Sequence, residues 1–194
     1  MDELLLVRHA ATLWSGRRYC GRSDQRLSDA GEAAAARLAA ELGSSLPSNI
    51  RIVSSPLLRA RQTAEAIASA VPGATLEIDE RWSETDFGIA EGLTYEDLTG
   101  AAPALAARLA RGDVCIDWPG GESAAALVAR VEAAWRDLTE HRRPALVVSH
   151  GGPLRIAIAL ATNRAVTDVT VPEPGAVWRL PVISSSMTAS VCDR

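Results

Sequence analysis

Two histidines and two arginines of this 194-residue chain follow apolar stretches that are typical of buried strands. Arg8 and His9 end "LLLVRH", His150 ends "ALVVSH", and Arg59 follows "IRIVSS" in the next turn of chain. Guanidinium groups bind phosphate oxygens through paired hydrogen bonds, and a neutral imidazole can act as a nucleophile or accept a proton. Brought together, these four side chains would form a site that binds a phosphoryl group and transfers it.

The elements that must position these residues are strands and helices in alternation. Apolar runs at 3–8, 50–54 and 145–149 lack polar alternation, which favours central parallel strands covered on both faces. Helical patterns occupy 29–43, 57–70, 123–140 and 153–161, and weaker edge strands are predicted at 176–182 and 187–192. We therefore expect an α/β fold, a three-layer sandwich with a mostly parallel central sheet and helices on both faces. Ligands bind such sheets at the carboxyl ends of the strands, where the four side chains would meet.

Composition favours one globular domain over residues 1–194 and a small-molecule ligand. Apolar residues make up 47% of the chain and charged residues 23%, and the net charge of −4 argues against a nucleic-acid or anionic-membrane binder. No apolar run approaches the roughly 18 residues of a membrane span. Three widely spaced cysteines and the acidic start "MDE" indicate reduced thiols and a cytoplasmic protein without a signal peptide.

Six motifs, taken in their order along the chain, resemble the histidine phosphatase superfamily, which has the phosphoglycerate-mutase-like fold. They are "LVRHAAT", "YCGRSDQRLSDAGEAAA", "SSPLLRARQTA", "WSETDFGIAEGLTYEDL", "PGGES" and "VVSHGGPLR". The resemblance covers most of the chain. The six motifs together are more specific than any one of them, because a single motif could simply be the end of a strand or the start of a helix.

The resemblance implies a role for each matching residue. His9 would be the nucleophile and would become a phosphohistidine, and Glu84 would donate the proton to the leaving group. Arg8, Arg59 and His150 would hold the transferred phosphoryl group. The resemblance also implies substrate contacts from four smaller residues: Ser15, Cys20, Gly21 and Gly151. Since no histidines or cysteines have metal-ligand spacing, we expect a metal-independent enzyme that needs no cofactor.

Two residues depart from the family pattern. Ala10 stands where the family usually has glycine, and a positive φ at that position would cost an alanine about 1 kcal/mol. Ser15 stands where many members have an asparagine that helps to hold phosphate. Neither change removes a catalytic role.

Residues 84–122 are predicted to fold irregularly as a small cap over the carboxyl ends of the strands. Only 38 positions separate Glu84 from Glu122. A small cap admits water to a phosphohistidine and favours hydrolysis over return of the phosphoryl group. We therefore expect a phosphatase that acts on a small-molecule phosphomonoester, α-ribazole phosphate or a sugar phosphate. Phosphoglycerate-mutase-type transfer and a catalytically weak phosphate-binding or regulatory module are the alternatives, and a homodimer is left open.

Basic residues near the first motif leave two interpretations open. Arg17, Arg18, Arg22 and Tyr19 either line the mouth of the site and contact a second anionic group of the substrate, or are solvated loop residues. Cys20 and Arg26 also fit the C-x5-R spacing of cysteine-dependent phosphatases. No apolar strand precedes Cys20, so the sequence favours the histidine mechanism.

Overall fold

The computed structural model describes residues 3–140 and 143–181. Its sheet has five strands in the order β3-β2-β4-β1-β5. They are β1 (Glu3–Arg8), β2 (Arg51–Ser54), β3 (Thr75–Ile78), β4 (Ala145–Ser149) and β5 (Val177–Pro181). The first four are parallel and β5 is antiparallel to β1, which confirms a mostly parallel sheet.

Six α-helices lie within the described residues. They are α1 (Asp29–Gly43), α2 (Leu58–Ala70), α3 (Tyr95–Ala101), α4 (Pro103–Ala110), α5 (Ala124–Glu140) and α6 (Gly151–Thr162). Leu4 and Leu6 of β1 pack into one core with α5 and α6, whereas Leu5 and Val7 pack into a second core with α1 and α2. Since successive side chains of a strand point to opposite faces, a strand covered on both faces is apolar throughout. The sandwich with helices on both faces is confirmed.

Strand register brings the ends of three strands to one edge of the sheet. Arg8 pairs with Ser149, and Ser54 pairs with Val148. β4 runs directly into α6, with His150 as the residue before the helix. β2 leads into α2, whose first backbone N–H, from Leu58, donates to Asp24 at 2.6 Å. The carboxyl edge therefore carries the side chains that the sequence analysis selected.

Residues 84–122, called the cap segment below, are more regular than the sequence predicted. They contain α3 and α4, and their apolar side chains form a separate small core that includes Leu98, Leu105 and Ile116. The prediction of an irregular segment is wrong at these helices, because helices of seven and eight residues give too few turns for a clear periodic pattern.

The two ends of the cap segment are joined by backbone hydrogen bonds. The N–H of Ile89 donates to the carbonyl of Pro119 at 2.9 Å, and the N–H of Glu122 donates to the carbonyl of Asp86 at 2.9 Å. A Cβ at Gly121 would lie only 2.4 Å from that Asp86 carbonyl oxygen, so the close approach requires glycine there. The cap segment thus leaves and re-enters the sandwich at one place.

Two edge strands and the cysteines differ from what the sequence predicted or lie outside the described residues. β3 was missed by the sequence analysis, because it is a short edge strand with three exposed side chains out of four. The edge strand predicted at 187–192 lies outside the described residues. Cys115 is disulfide-bonded whereas Cys20 is a free thiol, so the prediction of reduced cysteines is wrong at Cys115. None of the helices in residues 3–140 and 143–181 has the length and hydropathy of a membrane span.

Candidate active site

His9 follows β1 and is fixed by hydrogen bonds at its backbone and its ring. Its N–H donates to the carbonyl of Ser149 at 3.0 Å, which ties the end of β1 to the end of β4. Nδ1 lies 2.7 Å from the carbonyl oxygen of Ala10, an acceptor that requires the proton on Nδ1. Nε2 accepts a hydrogen bond from Nε of Arg59 at 3.2 Å. Nε2 therefore carries the lone pair.

The surroundings of His9 keep its imidazole neutral. Burial, the nearby Arg59 guanidinium and the more distant Arg8 lower the pKa of His9 to about 3, against the opposing effect of the Ala10 carbonyl. A charged ring would be desolvated and repelled by cations, so the neutral form is favoured. At neutral pH the side chain is a nucleophile or base and carries no positive charge.

Arg59 lies beneath His9, with only 1% of its surface exposed. Besides its bond to His9, its guanidinium donates to three carbonyl oxygens: Ser23 at 2.9 Å, Cys20 at 3.0 Å and Gly21 at 2.8 Å. Arginine suits this position because its fork of five N–H donors can bond several acceptors at once. Arg59 thus ties the loop after the first motif to the second strand end.

His150 packs against His9, with 5.0 Å between the ring centroids, and is completely buried. Its Nε2 lies 2.7 Å from the hydroxyl of Ser55. Its Nδ1 is buried and has no hydrogen-bond partner within the described part of the chain. Burial, followed by the charge of Arg59, lowers the pKa of His150 well below its usual value. The ring is therefore neutral, with one nitrogen unpaired among the described residues.

Arg8 and the start of α6 form the adjoining side of the site. Nη1 of Arg8 donates to the carbonyl of Pro172 at 2.6 Å, while its Nε is buried and finds no partner among the described residues. A Cβ at Gly151 would lie 3.7 Å from Cζ of Arg8 and 2.8 Å from Val171. As the first residue of α6, Gly151 has an N–H without an acceptor in the helix, which suits anion binding.

Glu84 enters the site from the segment after β3. It follows Trp82, a buried core residue whose carbonyl accepts a hydrogen bond from the Ser149 hydroxyl at 2.6 Å. Oε1 of Glu84 accepts from the N–H of Gly152 at 3.2 Å. A Cβ at Gly152 would lie 2.7 Å from that oxygen, so the glycine makes room for the carboxyl group. Glu84 and His9 line the same cavity.

Arg130 of α5 holds the backbone around Glu84, and sequence reasoning did not single it out. Its guanidinium donates to the carbonyls of Arg81, Ser83 and Glu84, at 2.7, 2.7 and 3.2 Å. The same group forms a two-bond ion pair with Glu122, at 2.6 and 2.8 Å. The glutamate of "PGGES" therefore fixes Arg130, and Arg130 fixes the chain that carries Glu84.

The smaller residues assigned to the substrate occupy different places. Ser15 and Cys20 line the cavity, as does Gly151, but the Ser15 hydroxyl already accepts from the N–H of Thr12 at 2.9 Å. Gly21 is outside the cavity lining: its N–H donates to Glu91 and its carbonyl accepts from Arg59. Gly21 thus supports the loop through these bonds, and its contact with the substrate stays a prediction.

Ala10 is accommodated without the strain that a positive φ would have caused. In the described residues, the non-glycine positions with positive φ are Asn49 and Asn163. Ala10 is buried beside Leu27, and its N–H donates to the hydroxyl of Thr63 at 3.1 Å. The alanine methyl group packs into a small apolar core.

The cavity above these residues has a volume of about 310 Å³ and two different ends. We call one end the floor group: Arg8, His9, Arg59 and His150. We call the other the cap wall: Leu109, Val114, Ile116 and Trp118. Arg8 and His9 line the cavity, with Arg59 and His150 buried behind them. The cavity is thus polar at the sheet edge and apolar under the cap segment.

The basic residues at the mouth are divided. Arg18 and Tyr19 line the cavity, whereas Arg17 and Arg22 are exposed residues outside its lining. Arg18 is itself exposed and donates to the carbonyl of Gly92 at 2.7 Å. The interpretation as solvated loop residues therefore fits Arg17 and Arg22.

The cysteine-dependent alternative does not fit the geometry. Burial raises the pKa of the Cys20 thiol and outweighs the nearby Arg59 charge, so a thiolate is disfavoured. Arg26 turns away to pair with Glu32 at 3.3 Å, and both of these side chains are well exposed. No phosphate cradle joins Cys20 to Arg26.

Comparisons with known proteins identify the family of the chain. The family model described as the histidine phosphatase superfamily (branch 1) matches residues 4–175. A probable phosphoglycerate mutase, GpmB, from Escherichia coli O1:K1 is 39% identical over 158 residues, which cover 78% of this chain and 70% of that protein.

Solved structures show the same relationship. A mycobacterial glucosyl-3-phosphoglycerate phosphatase in complex with VO3 matches with a TM-score of 0.80 at 30% identity, covering 91% of this chain and 90% of the other. A phosphoglycerate mutase from Thermus thermophilus matches with a TM-score of 0.70 at 34% identity, covering 91% of each. The strand-end histidines and arginines, the fold and the family match lead to one conclusion: this chain belongs to the histidine phosphatase superfamily.

Proposed function

We propose that the protein hydrolyses a small-molecule phosphomonoester through a phosphohistidine intermediate on Nε2 of His9. The observation that carries the proposal is the fixed tautomer of His9: the proton lies on Nδ1, and the Nε2 lone pair is held by a hydrogen bond from Nε of Arg59, which gives way when Nε2 attacks phosphorus. A neutral imidazole held in this way is ready to attack phosphorus without first losing a proton.

The floor group supplies the charge that phosphoryl transfer needs. Nε of Arg8 and Nδ1 of His150 are buried without partners among the described residues, so both can bond to phosphoryl oxygens. Arg59 and the N–H of Gly151 complete the set of donors. Positioned donors of this kind stabilise the charge spread over the oxygens in the transition state, which is the main source of catalysis in phosphoryl transfer.

Glu84 is the proton donor in this proposal. In the first step, the bond between phosphorus and the leaving oxygen breaks, a bond from Nε2 to phosphorus forms, and Glu84 protonates the leaving alkoxide. In the second step, the Glu84 carboxylate takes a proton from water, the water oxygen attacks phosphorus, and inorganic phosphate leaves with His9 restored. The hydrogen bonds from Thr85 and Gly152 to Oε1 hold the carboxyl group in place for both steps.

The short cap segment supports hydrolysis as the main reaction, with α-ribazole phosphate or a sugar phosphate as the substrate. Mutase-type transfer is the second candidate, because the proteins that match the chain include some named as phosphoglycerate mutases in addition to a phosphatase. A mutase must keep water away from its phosphohistidine. Interconversion of 2- and 3-phosphoglycerate that outpaces phosphate release would favour the mutase. A cytoplasmic location and a homodimer stay predictions.

The test is p-nitrophenyl phosphate hydrolysis by the wild-type protein and by His9→Ala. We expect hydrolysis that EDTA does not reduce and that falls by roughly four orders of magnitude in His9→Ala, because the covalent route is lost. Radiolabelled substrate should give a phosphoenzyme that acid destroys. A phosphoenzyme that survives acid would favour Cys20, and the absence of hydrolysis by both proteins would favour the binding module.

A further inference from the structure

Another arginine, besides Arg8 and Arg18, lines the cavity one helical turn beyond Gly151. Arg155 and its neighbour Ile156 line the same cavity as His9 and Glu84. Four residues of an α-helix advance about 6 Å along its axis. The guanidinium of Arg155 is therefore carried by the second turn of α6, whereas Gly151 of the first turn adjoins Arg8 and the phosphoryl position.

Arg155 has no partner within the described residues. Its Nε is buried without a hydrogen bond, and none of the ion pairs found in residues 3–140 and 143–181 includes it. Burial lowers the pKa of Arg155, and no carboxylate near it offsets the effect. The side chain is thus a partly buried cation whose hydrogen-bonding capacity is unused.

Two other arginines with little exposed surface show what is missing at this position. Arg130 is paired with Glu122 and bonded to carbonyl oxygens, and Arg59 bonds to His9 and three carbonyls. Burial of a guanidinium without such partners is unfavourable, and proteins retain it where a ligand supplies the missing anion. Arg155 therefore differs from the fully paired Arg130 and resembles Arg8, whose buried Nε also lacks a partner among the described residues, as expected of a ligand-binding arginine.

The surroundings of Arg155 favour an anion. Val128, Ile156, Val166 and Val171 line the same cavity, and apolar walls strengthen a charge–charge attraction by excluding water. Asp113 also lines the cavity, but its carboxylate is bonded to Arg108 at 3.0 Å. The exposed Arg18 at the mouth is surrounded by solvent, which screens its charge.

We propose that Arg155 binds a second anionic group, a carboxylate or a phosphate, on the leaving-group part of the phosphomonoester. The inference rests on the proposed function and narrows its substrate class to phosphomonoesters that carry another anion within about one helical turn of the transferred phosphate. The alternative is that Arg155 serves the transferred phosphoryl group itself.

The experiment compares matched substrate pairs that differ by one anionic group. 3-Phosphoglycerate and glycerol 3-phosphate differ by a carboxylate, and fructose 1,6-bisphosphate and fructose 6-phosphate differ by a phosphate. We expect kcat/KM of the wild-type protein to favour the more anionic member of at least one pair by roughly tenfold or more, and Arg155→Met to reduce that ratio to about two. The pair whose kcat/KM ratio falls in Arg155→Met shows whether Arg155 binds a carboxylate or a phosphate.

Two further proteins make the result decisive. Arg61→Met removes an exposed arginine of α2 and should keep the wild-type ratio. Arg155→Lys keeps the positive charge and should therefore keep part of the wild-type kcat/KM ratio. Equal losses of kcat/KM on both members of each pair in Arg155→Met would overturn the inference, because they would assign Arg155 to the transferred phosphoryl group or to structure. A wild-type protein that prefers neither anionic member would overturn it as well.

Binding measurements separate this inference from the proposed function. In calorimetric titrations, His9→Ala should bind 3-phosphoglycerate or fructose 1,6-bisphosphate more tightly than its partner compound, and the His9→Ala/Arg155→Met protein should not. That difference in affinity stands even if p-nitrophenyl phosphate hydrolysis and the phosphoenzyme are absent, which would overturn the hydrolase proposal alone. Hydrolysis without any difference in affinity would overturn the Arg155 inference alone.

Discussion

The floor group and the cap wall face each other across one cavity and are held by different forces. Backbone carbonyls and neighbouring rings fix the floor side chains through short hydrogen bonds, such as those from Arg59 to Gly21 and from Arg8 to Pro172. Apolar packing around Ile116 holds the cap wall. Hydrogen bonds fix both distance and direction, whereas apolar packing accepts changes of shape when volume is kept. The floor is thus suited to a single reaction and the wall to variation in substrate.

After the loss of His9 itself, the largest expected effect comes from breaking the floor at Arg59. We expect Arg59→Met to lower kcat/KM for p-nitrophenyl phosphate by roughly 10²- to 10³-fold, because one positioned donor and the anchor of three carbonyls are lost. On the cap wall, Leu109→Ala should cost less than roughly tenfold with this small substrate, because the part of one apolar contact that is lost is worth about 1 kcal/mol, at the low end of the usual range. Steady-state kinetics on both variants, with Arg61→Met as the control, measure the contrast. Comparable losses at the two positions would remove the distinction between floor and wall.

Arg130 ties together the two ends of the cap segment, at Glu84 and Glu122, so its replacement sharpens the comparison. In Arg130→Met, Glu122 is left unpaired in a largely buried place. We expect the free energy of unfolding to fall by about 2 kcal/mol, below the 3–5 kcal/mol of a fully buried pair. Since the Glu84 backbone loses its support, kcat should fall roughly tenfold while KM changes little.

A double variant distinguishes positioning from simple destabilisation. Arg130→Met/Glu122→Gln removes the unpaired charge and should regain part of the stability in urea unfolding, but not kcat. If kcat returned together with stability, Arg130 would have no positioning role toward Glu84.

The smallest expected effect is a dependence of stability on pH that originates in the floor. Burial and Arg59 hold the pKa of His9 at about 3, below the value of about 6.5 for the unfolded chain, so the unfolded chain binds more protons between these values. The free energy of unfolding should therefore decrease as pH falls below about 6.5. Between pH 7 and 5.5 we expect a loss of about 1 kcal/mol from His9.

Urea unfolding at a series of pH values measures this slope. His9→Asn should show a shallower decline than the wild-type protein, with His150 accounting for what remains, since its pKa is lowered in the same direction. A slope unchanged by His9→Asn would show that the depressed pKa of His9 is absent in solution.

Sequence patterns predicted the floor better than the features that support it. The three central strands are apolar on both faces, and the floor side chains lie at or next to their ends, so local pattern locates them. Arg130 and Arg155 give no such signal: one lies on an amphipathic helix where charged residues are normally solvated, and the other follows an ordinary apolar helix start. The role of Arg130 depends on contacts with residues far away in sequence, such as Arg81, and the setting of Arg155 depends on a cavity that distant parts of the chain form together.

The resemblance supplied Glu84 and Gly21, and the structure places these two residues in different surroundings. Glu84 reaches the cavity because Trp82 and Arg130 hold its backbone. Gly21 matched a motif but turns its N–H to Glu91. A motif identifies a residue type at a position, whereas the direction of a backbone N–H depends on the neighbour that accepts it.

The joined ends of the cap segment have a consequence for how this scaffold can diversify. The hydrogen bonds of Asp86 and Ile89 with the chain at 119–122 close the segment at its base, and Gly112 lies at an open turn far along it. Lengthening a flexible loop costs little in chain entropy, about 0.6 kcal/mol per doubling. Residues inserted at that turn would enlarge the cap segment without moving Glu84 relative to the sheet. New substrates could then be accepted while the residues of the candidate active site stayed in place.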